Sequence, residues 1–138
     1  MFTIVQIYTS TIPNRIITPV KIKYDNQVMS VNALWDTGAT SCAISEKLAQ
    51  ELKIESTENV NIFTSGGKID DGKQCQITIE MSNEIGHRCD FANLKCLITN
   101  LNTHDVQCII GMNVIASGEF HILNTEAGVV FQFSINDK

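Results

Sequence analysis

Two prolines, Pro13 and Pro19, are all that this 138-residue chain holds, and nowhere do serine, glycine and proline gather into a linker. With no such break and no internal sequence repeat, residues 1–138 read as one domain, large enough to bury a real core. Basic residues are also few, 10 against 15 acidic, and they form neither a run nor a basic helix. The resulting formal charge of −5 argues against nucleic acid or an anionic membrane as a partner. No apolar run approaches the roughly 20 residues that span a bilayer. The segment from Met1 to Gln6 lacks the basic start and small-residue cleavage site of a secretory signal, and no Asn-x-Ser/Thr sequon occurs. The expected compartment is the cytoplasm.

Paired Cys-x-x-Cys spacing is missing as well. The five cysteines, Cys42, Cys75, Cys89, Cys96 and Cys108, are odd in number and irregularly spaced. In a cytoplasmic protein they are expected to be reduced, and most of them to serve as small core residues. A zinc site drawn from His87, Cys89, Cys96, His104 and Cys108 is the sharper alternative, but the spacing gives it little support. No metal and no cofactor are expected.

What is present is mostly β pattern. From Ile16-Ile17 to Tyr24 the second half alternates, with Val20, Ile22 and Tyr24 on one face and Lys21 and Lys23 on the other. Asp25-Asn26 signals a turn, and Gln27 to Trp35 returns as a second strand. Gln74 to Met81 alternates cleanly, with Cys75, Ile77, Ile79 and Met81 inward and the polar residues outward. Further strands are predicted near Val60–Thr64, Cys89–Thr99, Phe120–Leu123 and Val129–Ile135. Two short helices fit between them. Ser45 can cap the first, Glu46–Leu52, and the second runs from near Asn113 to a stop at Gly118.

The informative stretch is Leu34-Trp35-Asp36-Thr37-Gly38-Ala39-Thr40. An apolar strand runs directly into a carboxylate, then a small hydroxyl and a glycine. A carboxylate at the end of a buried strand is costly unless hydrogen bonds or a proton satisfy it. Thr37 and the Gly38 amide could do so, because glycine permits a tight loop. Asp-Thr-Gly by itself also describes an ordinary β-turn. Its context adds information. Some seventy residues on, Val106-Gln107-Cys108-Ile109-Ile110-Gly111 is a second apolar strand ending in glycine before a short helix.

Taken together, these motifs resemble the retropepsin-like aspartic proteases over roughly Pro19 to Phe133. The family pattern is Asp-Thr-Gly-Ala, a glycine-bearing flap hairpin, then two apolar residues, glycine and a helix. The resemblance implies an all-β, closed barrel-like fold with one or two short helices, carrying half an active site per chain. It implies a homodimer that hydrolyses peptide or protein substrates, with Asp36, Thr37 and Gly38 in the catalytic loop. Substrate contacts would come from Ala39, Thr40 and Ile110, and from the flap residues Ser65, Gly66, Gly67 and Ile69. The flap tip is expected to be the loop 65–73. Viral members commonly carry an Asp–Arg pair where this chain has Thr40 and Met112. Both charges are gone together, so neither is left unpaired, which favours a cellular-type site. Two other readings stay open: a non-catalytic domain of this fold for dimerisation or peptide binding, and an unrelated small β-barrel carrier.

Overall fold

In the computed structural model, residues 1–9, 12–64, 67–101 and 105–136 are described, without the side chains of 64 and 69–71. Ten strands and two short helices follow in the order β1 (Phe2–Tyr8), β2 (Ile17–Tyr24), β3 (Gln27–Trp35), β4 (Cys42–Ser45), α1 (Glu46–Glu51), β5 (Glu58–Thr64), β6 (Gly67–Ser82), β7 (Arg88–Thr99), β8 (Cys108–Ile110), α2 (Met112–Ile115), β9 (Glu119–Thr125) and β10 (Gly128–Ile135). The all-β expectation with two short helices holds. No helix among the described residues is long and apolar enough to cross a membrane.

Strands β2, β3, β8, β4, β7 and β6 hydrogen-bond in that order, and β6 returns to β2, closing a six-stranded barrel with β5 beyond it. Two of the pairings are parallel: Trp35 of β3 lies beside Ile110 of β8, and Cys42 of β4 beside Cys96 of β7. The predicted alternation on β6 fills the interior, for Cys75, Ile77, Ile79 and Met81 are all buried. Ser45 caps α1 as expected, its Oγ accepting the Leu48 N–H at 3.0 Å. The second helix is shorter than predicted, ending at Ile115.

A second sheet, β1–β10–β9, packs against the barrel through aromatic rings. Trp35, the last residue of β3, lies 4.9 Å from Phe133 and 5.1 Å from Phe131 between ring centroids. Its indole N–H donates to Thr18 Oγ1 at 2.9 Å, so the buried polar tip is satisfied. The residue before Asp36 is thereby fixed from two sides.

The outward expectation for the polar residues of β6 fails at Glu80, only 3% exposed. Barrel closure sets Glu80 beside Lys21 at the β2–β6 seam, where Lys23 Nζ approaches its carboxylate at 2.7 Å and Arg88 at 3.3 Å. The hydrogen bond from Lys23 holds the Glu80 carboxyl below its usual range, aided by the charges of Lys23, Arg88 and Lys21 and opposed by burial. A carboxyl with a lower pKa folded than unfolded stabilises above its unfolded value, and that stability disappears as pH falls through the folded one. Glu80→Gln should therefore lower the melting temperature near pH 7. The gap to wild type should close below about pH 4, which melting curves across that range will show.

Candidate active site

Asp36 stands where β3 leaves the barrel, half-buried, with Thr37 and Gly38 exposed after it. Its N–H donates to the Ile110 carbonyl at 2.9 Å, continuing the β3–β8 pairing one residue past the strand. The chain then turns on itself. Gly38 N–H donates to Asp36 Oδ1 at 2.8 Å, and Ala39 N–H to the Asp36 carbonyl at 3.2 Å. The carboxylate is thus held by backbone, and no cation pairs with it among the described residues. A methyl group at Gly38 would stand 3.2 Å from Asp36 Oδ1, so glycine keeps that approach open.

Behind the loop sits the end of β8, Ile109 and Ile110, with Gly111 directly after it. Met112 N–H donates to the Ala39 carbonyl at 2.7 Å. Gly111 is buried against the Ser41 carbonyl with no room for a Cβ, and its N–H points at Cys42 Sγ, 3.3 Å away. The two sequence motifs, seventy residues apart, are thereby brought into one hydrogen-bonded unit.

Cysteine supplies the small side chains beneath it. Cys108, Cys42, Cys96 and Cys75 are fully buried, one on each of the adjacent strands β8, β4, β7 and β6. A hydrogen bond from the free Cys96 thiol holds the Cys42 thiol below its ordinary range, against burial and with help from Gly111 N–H. Cys96 is pushed well up by the same bond, and burial alone raises Cys75 to about 11. These are core thiols, as expected. No cluster of three or more metal-ligating side chains forms among the described residues; His104 lies outside them.

The remaining sequence-predicted residues divide. Ala39 is half-buried and Thr40 exposed, both next to Asp36. Ile110 does not line a groove: its side chain is fully buried in the core, and it reaches the site through its carbonyl. Ile109, not predicted, is the half-buried one of the pair, and the period-two alternation with Cys108 and Ile110 was the signal that could have found it. The hairpin expected at 65–73 is tighter than a nine-residue loop. Thr64 pairs with Gly67, and β6 is already a strand from there onward. Ser65 and Gly66 lie outside the described residues, as does the Ile69 side chain. Gly67 is exposed at φ +120°.

Against this geometry, the profile of the family described as "gag-polyprotein putative aspartyl protease" matches residues 20–117. The chain belongs to that family. The matched span runs from β2 through α2 and contains both motifs. Among solved structures, a retropepsin-like aspartic protease from Rickettsia conorii aligns over 97% of this chain and 92% of its own, with a TM-score of 0.59 and 15% identity. The EIAV protease, solved with the inhibitor HBY-793, aligns over 79% of this chain and 92% of its own, with a TM-score of 0.57 and 21% identity. At such identities the likeness is one of fold, and the fold is that of a retropepsin-like aspartic protease. A search of curated protein sequences finds no match.

Proposed function

We propose that this retropepsin-like chain, acting over residues 1–138 as one domain, is half of a homodimeric aspartic endopeptidase. Two copies of Asp36 meet across a twofold axis and activate water on an extended peptide. The observation that carries this reading is the Asp36 loop itself: a carboxylate held by the Gly38 amide, half-open to solvent, with no cation paired to it among the described residues. One carboxylate cannot serve as base and acid in the same step. A closed twofold assembly supplies the second.

Two carboxylates that close cannot both ionise cheaply, so they share a proton; aspartic-protease pairs are the general example of this effect. The ionised member takes a proton from the water held between them as that water attacks the scissile carbonyl. The protonated member donates to the developing oxyanion. As the C–N bond then breaks, the first member passes the proton it took from water to the departing amine nitrogen, and the second takes a proton back from the gem-diol hydroxyl. The proton belongs to the pair and not to either copy. Thr37 braces the two loops across the axis, and the Gly38 carbonyl takes a backbone N–H of the substrate. Ala39, Thr40 and Ile109 flank the cleft, and the β5–β6 hairpin covers it. The four core thiols suit a reducing compartment, which agrees with action in the cytoplasm.

Exposed apolar residues on the terminal sheet support a dimer surface there. The terminal sheet packs on Trp35 directly beneath the Asp36 loop. Its edge strand β9 leaves Ile122 and Leu123 each 51% exposed, and β1 leaves Ile7 53% exposed. We place the interface over that sheet and the loop.

Cleavage of a peptide library by the purified chain tests the reading, together with its pH–rate profile. The profile should be bell-shaped and favoured on the acid side, falling when both copies ionise and again when both are protonated. A folded dimer that hydrolyses nothing at any pH would leave only a non-catalytic dimerisation or peptide-binding domain.

A further inference from the structure

We propose that Asn113 is a positioning residue, one that holds the Asp36 loop in register with the strand pair that carries the β5–β6 hairpin. This rests on the reading of Asp36 just given. Asn113 is the second residue of α2. Its Oδ1 accepts the Cys42 N–H at 2.9 Å, and its Nδ2 donates to the Lys95 carbonyl at 3.2 Å. Cys42 opens β4 and Lys95 belongs to β7, so one side chain bonds two neighbouring strands from outside both. From Asn113 the helix leads back to Met112, whose N–H holds the Ala39 carbonyl of the Asp36 loop. From Lys95 the path runs the other way. Lys95 faces Gln76 on β6, and the earlier half of β6 forms the hairpin with β5.

The chemistry of the site selects an amide. One backbone donor and one backbone acceptor must be met at once; asparagine offers both an oxygen and an NH₂, aspartate only oxygens, and alanine neither. Asn113 is itself exposed. Removing it opens no core cavity, so its effect should fall on geometry more than on packing.

The test uses the purified dimer and two variants. Asn113→Ala, which loses both bonds, should lower kcat roughly 10- to 100-fold, the scale of a displaced reacting group. It should also shift the limbs of the pH–rate profile, because the spacing of the two carboxylates sets how they share a proton. Asn113→Asp keeps the bond to Cys42 and loses the one to Lys95. It should retain kcat near wild type with a raised KM, since only the tie toward the hairpin strand is cut. Wild-type kinetics and unmoved limbs in the Ala variant would overturn the proposal. So would equal loss of kcat in both variants with unmoved limbs, the mark of a merely structural residue. If the Ala variant does not fold, the Asp variant decides alone: raised KM at near-normal kcat supports the proposal, and unchanged KM overturns it. If the wild type cleaves nothing, the reading of Asp36 has failed, and amide exchange judges the tie separately. The Cys42 N–H should then lose protection in Asn113→Ala and keep it in Asn113→Asp, and equal protection in both overturns the tie.

Discussion

Asp36→Asn should leave the fold intact and lower peptide cleavage by about 10³-fold or more. The amide occupies nearly the same volume as the carboxylate, and its oxygen can still accept the Gly38 N–H that closes the loop at 2.8 Å. What it cannot do is hold the shared proton or take one from water. The loss should therefore appear in kcat, with circular dichroism and melting temperature close to wild type. Because Asp36 lies past the end of β3 and is only half-buried, no core contact changes with it. Cleavage at wild-type rate by this variant would remove Asp36 from the mechanism.

Gly111→Ala should damage both stability and activity, for a different reason. A Cβ there would stand 2.5 Å from the carbonyl carbon and oxygen of Ser41 and 2.9 Å from the Ala39 carbonyl oxygen. These are backbone atoms, with no side chain to swing aside. Either the end of β8 with Gly111 or the Asp36 loop must move. Overpacking of this kind costs about 1–3 kcal/mol or more, and here the displaced atoms are those that hold Asp36 and Ala39. Gly86→Ala is the control. Gly86 has φ +85° in the β6–β7 turn with nothing within 4 Å of a new Cβ, so it should cost about 1 kcal/mol of backbone strain and no activity. Urea unfolding and peptide cleavage on both variants separate the two effects.

Much of this architecture was legible in the sequence where one face of a strand is buried and the other wet. The inward residues of β6 were read from alternation, and the β2–β3 hairpin from alternation together with the Asp25-Asn26 turn signal. Strand β1 was not, because Phe2 and Ile4 are buried while Val5 and Ile7 on its other face are also apolar and stay open. Strand β4 escaped for the opposite reason: all four of its residues are buried, so no alternation exists to read. The three glycines of 65–73 suggested a loop. Gly72 instead lies in β6 opposite Val60, where a Cβ would come within 2.4 Å of the Ile62 side chain, so its smallness serves close packing and not a turn.

The candidate site was legible as two motifs, not as one unit. Nothing in residues 36–40 or 108–112 shows that Met112 N–H would meet the Ala39 carbonyl; that needs the parallel β3–β8 pairing, which only tertiary structure provides. Asn113 went unread for the same reason, since its partners at Cys42 and Lys95 are 71 and 18 residues away. Glu80 carries no sequence mark of burial, and only closure of the barrel brings Lys21 and Lys23 over it.

The central claim is that one working site is made from two copies of Asp36, and mixed dimers test it most directly. Wild-type protein and Asp36→Asn protein are combined in equal amounts, subunits are allowed to exchange, and cleavage is compared with the same total of wild type. If both carboxylates are needed, only wild-type pairs work, and random pairing leaves about one quarter of the activity. About one half would mean that each chain works with its own carboxylate, and that result would contradict the account.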